Sequence, residues 1–217
     1  MAIRELQKIN TRIYRIVNDR YFSRRSMFDR INRHTTQMIR VAIRGRTDGD
    51  GYYLAMALSW SFALANQLWI DLEEKLWESF PGVCRHCDNG RCTCSTNETE
   101  RRGTIPRRTV DKPVSLQGFQ QMLGFIYPDN TQDQILLRLA EDMGLLSQSL
   151  NHFEDTHSEQ FFIETERNLV NVVAKICLVA NCFQIDLGDE FEKNFGYGCP
   201  KCNKGQCGCK HSTARLV

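Results

Sequence analysis

Cysteine is the residue type that could do chemistry here, and its spacing repeats. Cys84, Cys87, Cys92 and Cys94 form a C-x2-C-x4-C-x-C cluster, and Cys199, Cys202, Cys207 and Cys209 repeat it. Zinc favours four thiolates in a tetrahedron, and a C-x2-C turn lets two sulfurs converge on one ion while a reversal returns the second pair. Gly90 and Gly205 stand where that reversal is expected. The even number of cysteines also permits disulfides, which a reducing cytosol would not sustain. His86 and His211 are close enough in sequence to substitute as ligands, although four cysteines leave no vacancy. A closed four-thiolate shell has no open position for substrate, so the two Zn2+ sites are expected to stabilise, by on the order of 10 kcal/mol each, and not to catalyse. Cys177 and Cys182 lie outside both clusters on an apolar stretch and read as core residues.

The clusters close an internal duplication. Residues 65–94 return as residues 180–209 without a gap, and Ala65, Asn66, Ile70, Asp71, Leu72, Phe80 and Gly90 recur together with the four cysteines. Upstream of each cluster the apolar residues keep helical spacing, as in Leu54, Leu58, Phe62, Ala65 and Leu68, then Leu169, Val172, Val173, Ile176 and Ala180. Asp71 and Asp186 each stand where a short helix must begin and can cap its free backbone donors. Paired helices are expected at Met27–Arg44 and Gln134–His152, each preceded by a leading helix near residues 3–17 and 115–127.

The expected architecture is all-α: a first helical module over residues 1–94 with its knuckle at 84–94, and a second over 114–209 with its knuckle at 199–209. A polar linker spans 95–113 and a tail 210–217. Duplicated halves can bury the same face against each other, so a pseudo-two-fold bundle is the natural arrangement.

Composition narrows the function classes. The formal net charge of +2 conceals a basic first segment, in which residues 1–46 carry eleven arginines and Lys8 against Glu5, Asp19 and Asp29. Charges interrupt the first residues where a signal peptide needs an apolar run, which points to the cytoplasm. Residues 52–70 lack charge and approach the length of a membrane span. Their repeat counterpart contains Lys175, so a buried helix is expected and no membrane contact.

The segments LAEDMGLL (Leu139 to Leu146), LVANCFQIDL (Leu178 to Leu187), FALANQLWIDL (Phe62 to Leu72) and LQGFQQMLGFIYP (Leu116 to Pro128) resemble motifs of the MazG-like, all-α nucleoside triphosphate pyrophosphohydrolases. The resemblance covers most of both halves and implies a Mg2+ site of four or so carboxylates on two helices, where metal-bound water attacks a phosphate. Glu141 and Asp142 match the first two carboxylates, Leu145 takes the third place, and Asn168 and Asn171 stand where Glu and Asp belong. The first half departs further, with Arg33, His34 and Gln37 on one helix and Tyr53 and Met56 on the other. Glu164 lies one turn before Asn168 and could join that face; Glu166, Asp48 and Asp50 are the other nearby acids.

The leading expectation is therefore a zinc-binding, catalytically degenerate MazG-like protein, a pseudoenzyme acting as a sensor or accessory subunit. It would bind a nucleotide, through Asn168, Asn171, Arg33, His34 and Arg40, or a protein partner, including another copy of itself. The alternative is an active Mg2+-dependent pyrophosphohydrolase working through Glu141, Asp142 and Glu164. Nucleic-acid binding by the basic first segment ranks third, because its arginines are interleaved at helical spacing and the knuckles carry few aromatics.

Overall fold

The computed structural model describes residues 1–45, 50–94 and 111–209. Eight helices and no strand occur among them: α1 (Ile3–Tyr21), α2 (Arg24–Ile43), α3 (Asp50–Gln67), α4 (Leu72–Ser79), α5 (Leu116–Ile126), α6 (Gln132–Thr156), α7 (Glu159–Cys182) and α8 (Leu187–Phe195). The all-α expectation holds. Asp48, His211, most of the linker and the tail lie outside the described residues.

Helix limits follow local chemistry. Ser23 caps α2 by accepting from the Ser26 backbone, so the helix starts before Met27. Thr131 and Gln134 form a capping box that fixes the start of α6, and His157 in the left-handed region ends it. Asp71 accepts from the Glu74 N–H, and Asp186 from those of Gly188 and Asp189, so both aspartates cap as their positions suggest.

The ends of α3 and α7 share one motif. Trp69 and Gln184 adopt φ of 58° and 55°, and the Ile70 and Ile185 N–H groups reach back to the Ala65 and Ala180 carbonyls at 2.9 Å. That pairing is a Schellman closure, normally given to glycine because a Cβ is disfavoured there.

Helices α3 and α7 pack against each other and form the centre. Leu54, Leu58, Phe62 and Leu64 on α3 are fully buried, which explains the uncharged stretch as a core helix. Among the described residues no single helix is long and apolar enough to cross a membrane. Helices α1 and α2 cover α3, and α5 and α6 cover α7. The short helices cross over: α8 packs on α3 and α4 on α7. Phe191 of α8 meets Phe62 of α3 edge to face at 5.5 Å between centroids. Arg24 and Arg25 of α2 pair with Glu154 and Asp155 of α6, a second tie between the halves.

Candidate metal centres and the cleft beside them

Each cysteine cluster closes into one site. The four candidate sulfur ligands of each tetrad lie within 4.8 Å of one another. Cys84 and Cys94 Sγ are 3.8 Å apart, and Cys199 and Cys209 Sγ 3.9 Å. A sulfur tetrahedron around an ion bound at about 2.3 Å has an edge of about 3.8 Å, whereas a disulfide needs about 2.05 Å. The described cysteines are all free thiols. The donor set and its spacing therefore fit a tetrahedral thiophilic ion.

Local backbone shapes both tetrads. The Cys84 N–H donates to the Asn89 carbonyl, and the Cys199 N–H to that of Lys204. The reversal places its left-handed residue at Asp88 (φ 56°) and Asn203 (φ 54°) and not at Gly90 or Gly205. Asp and Asn tolerate that region best among residues with a Cβ. Backbone N–H groups of Gly208 and Lys204 favour the Cys202 thiolate and lower its pKa to about 6. Cys87 falls to about 7, because N–H groups of Thr93 and Asn89 outweigh the opposing effect of burial.

The knuckles dock crosswise. The Cys92 N–H donates to the Ile126 carbonyl at the end of α5, and the Cys207 N–H to the Ile13 carbonyl of α1. The Tyr127 hydroxyl donates to Cys84 Sγ at 3.7 Å. Burial, then a hydrogen bond to Cys199, raises the Tyr14 pKa well above the usual phenol range. Each tetrad thus rests on the leading helix of the opposite half.

Docking of the first knuckle carries Arg85, which lies between Cys84 and Cys87, over the groove between α6 and α7. Its guanidinium donates to Asn171 Oδ1 at 2.5 Å and lies 5.9 Å from the Phe80 ring centroid. Two adjoining clefts, of about 740 and 250 Å3, share Arg85, His86 and Asn171. Glu164, Asn168 and Arg167 line the larger; Glu141, Asp142, Arg138 and Lys175 line the smaller.

The acids expected at a magnesium site are divided between these clefts. Among the described residues the two cysteine tetrads are the groups of three or more candidate metal ligands, so Glu141, Asp142 and Glu164 do not converge on one ion. Lys175 Nζ lies 3.7 Å from Asp142 Oδ2. Burial lowers the Lys175 pKa and raises that of Asp142, and their mutual attraction opposes both shifts. Asn168 is buried and donates to the Leu145 carbonyl and to Ser149 Oγ, a structural role that ties α7 to α6. Glu164 accepts from Gln160 Nε2 at 3.2 Å on the outer part of α7.

In the first half Arg33 and Arg40 are exposed on α2, and His34 faces Tyr52 and Tyr53. Burial, followed by the charges of Arg33 and Arg30, lowers the His34 pKa to about 4. Arg33, His34 and Arg40 line neither of these two clefts. Cys177 is fully buried, whereas Cys182 is only partly so.

Sequence reasoning passed over Arg85, Arg138, Arg167 and Lys175. One signal was available, since Asn168, Asn171 and Lys175 are spaced by three and four and must share a helix face. Arg85 had none, because its destination depends on crosswise docking. Comparison with protein-family models, with curated proteins and with solved structures finds no match, so the MazG-like resemblance stands on its motifs alone.

Proposed function

We propose that this chain is a zinc-binding protein of MazG-like architecture, two helical modules in a pseudo-two-fold bundle. In this reading it binds the phosphate groups of a nucleotide in the α6–α7 cleft without magnesium and without hydrolysing them. Zinc fits the tetrads because four cysteines in a closed tetrahedron suit a structural ion with no redox role. The tetrads would hold the knuckles folded, and the second half's degenerate metal site would provide the binding groups.

The observation that carries the reading is the state of Arg85. This guanidinium remains charged. Its pKa is lowered first by burial, and the neighbouring Arg167 adds repulsion, which attraction to Asp142 and to Cys84 opposes in part. Its hydrogen-bond partner is the neutral Asn171 side chain. Withdrawing a cation from water beside another cation is costly unless an anion joins them. A phosphate would supply charge-assisted hydrogen bonds to both arginines. Lys175 beside Asp142 already neutralises one of the expected acids, which supports recognition by fixed cations in place of a divalent ion.

Calorimetric titration of the zinc-loaded chain with nucleoside triphosphates and inorganic pyrophosphate, in magnesium-free buffer, tests this. The reading expects binding that Arg85→Gln weakens about ten- to a hundredfold, the worth of a charged hydrogen bond. Absence of heat from every ligand would remove it. Pyrophosphate release with Mg2+ or Mn2+, abolished by Glu141→Gln, would establish the active-enzyme alternative instead.

A further inference from the structure

A cavity of about 500 Å3 opens on the far side of the first half, between α1 and the end of α3. Its lining mixes amides, charged groups and one aromatic ring. Asn10 is 1% exposed; its Nδ2 donates to the Ser59 carbonyl and to Ser59 Oγ, while its Oδ1 is buried with no hydrogen-bond partner. Asn18 is 6% exposed, and its side-chain amide has no partner among the described residues. Both are part of the cavity wall. At the rim, Lys8 has no carboxylate partner among the described residues, whereas Arg4 pairs with Asp71 at 2.6 Å and Arg15 approaches Asp19 at 3.8 Å. The Trp69 side chain borders the same opening and is 92% exposed.

The duplication provides an internal control. Gln7 and its counterpart Gln120 make the same bonds: each accepts from the first N–H of the following short helix, at Leu72 and Leu187, and donates to the carbonyls of Ile70 and Ile185. Asn66 and Asn181 donate to the Gln7 and Gln120 carbonyls. These amides serve the fold and occur in both halves. The cavity residues do not recur: Lys8, Asn10 and Thr11 correspond to Gln121, Leu123 and Gly124, and Gln67 and Trp69 to Cys182 and Gln184. The second half therefore closes without an asparagine at the place of Asn10, a lysine at that of Lys8 or an indole at that of Trp69. Trp69 also occupies a left-handed position (φ 58°), where an exposed indole gains the fold nothing by burial.

We infer that this cavity is a second ligand site, distinct from the α6–α7 cleft, and that it takes a mononucleotide. The Asn18 side-chain amide offers a donor and an acceptor side by side, which matches the edge of a nucleobase, and Asn10 Oδ1 adds an acceptor. An exposed indole gives the base a stacking surface. Lys8 and Arg15 at the rim would meet the phosphate. The cavity volume lies within the range of small-molecule sites, about 300–1,000 Å3.

The test is titration of the zinc-loaded full chain with the four common nucleoside monophosphates, followed by tryptophan fluorescence and calorimetry, with amide NMR to locate the site. At least one monophosphate should quench Trp69 fluorescence and shift the Asn18 side-chain NH2 resonances. Lys8→Gln and Trp69→Gln install the residues that the second half already accommodates, so both should fold. Each should weaken binding, measured by calorimetry, at least tenfold. A lack of response to all four monophosphates would overturn the inference, as would unchanged affinity in both variants. Binding of single-stranded oligonucleotides with no response to any mononucleotide would overturn it too, in favour of a nucleic-acid surface. None of these readouts requires the α6–α7 cleft to bind anything.

Discussion

The hydroxyl of Tyr127, just past α5, donates to Cys84 Sγ in the knuckle that follows α4, 3.7 Å away. On the other side of the molecule Tyr14 of α1 takes the corresponding place beside Cys199, which helps to raise its pKa. A cysteine tetrad in one half is therefore met by a phenol from the other, and an ion held by that tetrad would tie its loading to the association of the halves.

Removing one hydroxyl isolates this bond. Tyr127→Phe keeps the ring against Phe80 and deletes the donor, so stability should fall by about 0.5–1.5 kcal/mol. Denaturant unfolding of the zinc-loaded chain measures it. Zinc transfer to a competing chelator should also speed up, and an unchanged rate would mean that the phenol packs without supporting the site.

Crosswise docking predicts where damage spreads. Cys84→Ser should leave one zinc per chain and expose amides of α5 to hydrogen exchange, whereas Cys199→Ser should expose those of α1. Deprotection confined to the mutated half would contradict the docking.

The core should respond across the halves as well. Phe62 of α3 is fully buried against Phe191 of α8. Phe62→Ala should cost about 3–5 kcal/mol, and thermal unfolding should remain a single transition, because the lost contacts belong to both halves.

Acid stability should depend on His34. Its folded pKa of about 4 lies below the ordinary value of 6.5, mainly through burial and then through Arg33 and Arg30. The unfolded chain therefore binds the extra proton first, and stability is lost as pH falls from about 6.5 towards 4. His34→Asn should flatten that part of a melting-temperature profile relative to the parent. An identical acid limb in both proteins would show that other groups dominate.

Much of this was legible in the sequence because it is local. Helical spacing, the capping aspartates Asp71 and Asp186 and the cysteine tetrads each depend on residues within a few turns of one another. Even so, the reversal in each knuckle uses Asp88 and Asn203 and not the glycines two residues further on, since several residue types tolerate the left-handed region. The cleft was not legible for a different reason. Lys175 reads as a lone charge in an apolar helix until Asp142 of α6 is placed beside it. Arg85 reaches Asn171 only because the first knuckle crosses to the second half, a relation between residues 86 positions apart. Asn168 lies on the expected face, but its amide is spent on Leu145 and Ser149.

Native mass spectrometry of the intact chain, purified without added metal, tests the central claim most directly. The account predicts the mass of the chain with two zinc ions, which acid converts to a metal-free chain with all its thiols reduced. A metal-free chain carrying disulfides among the eight clustered cysteines would contradict it.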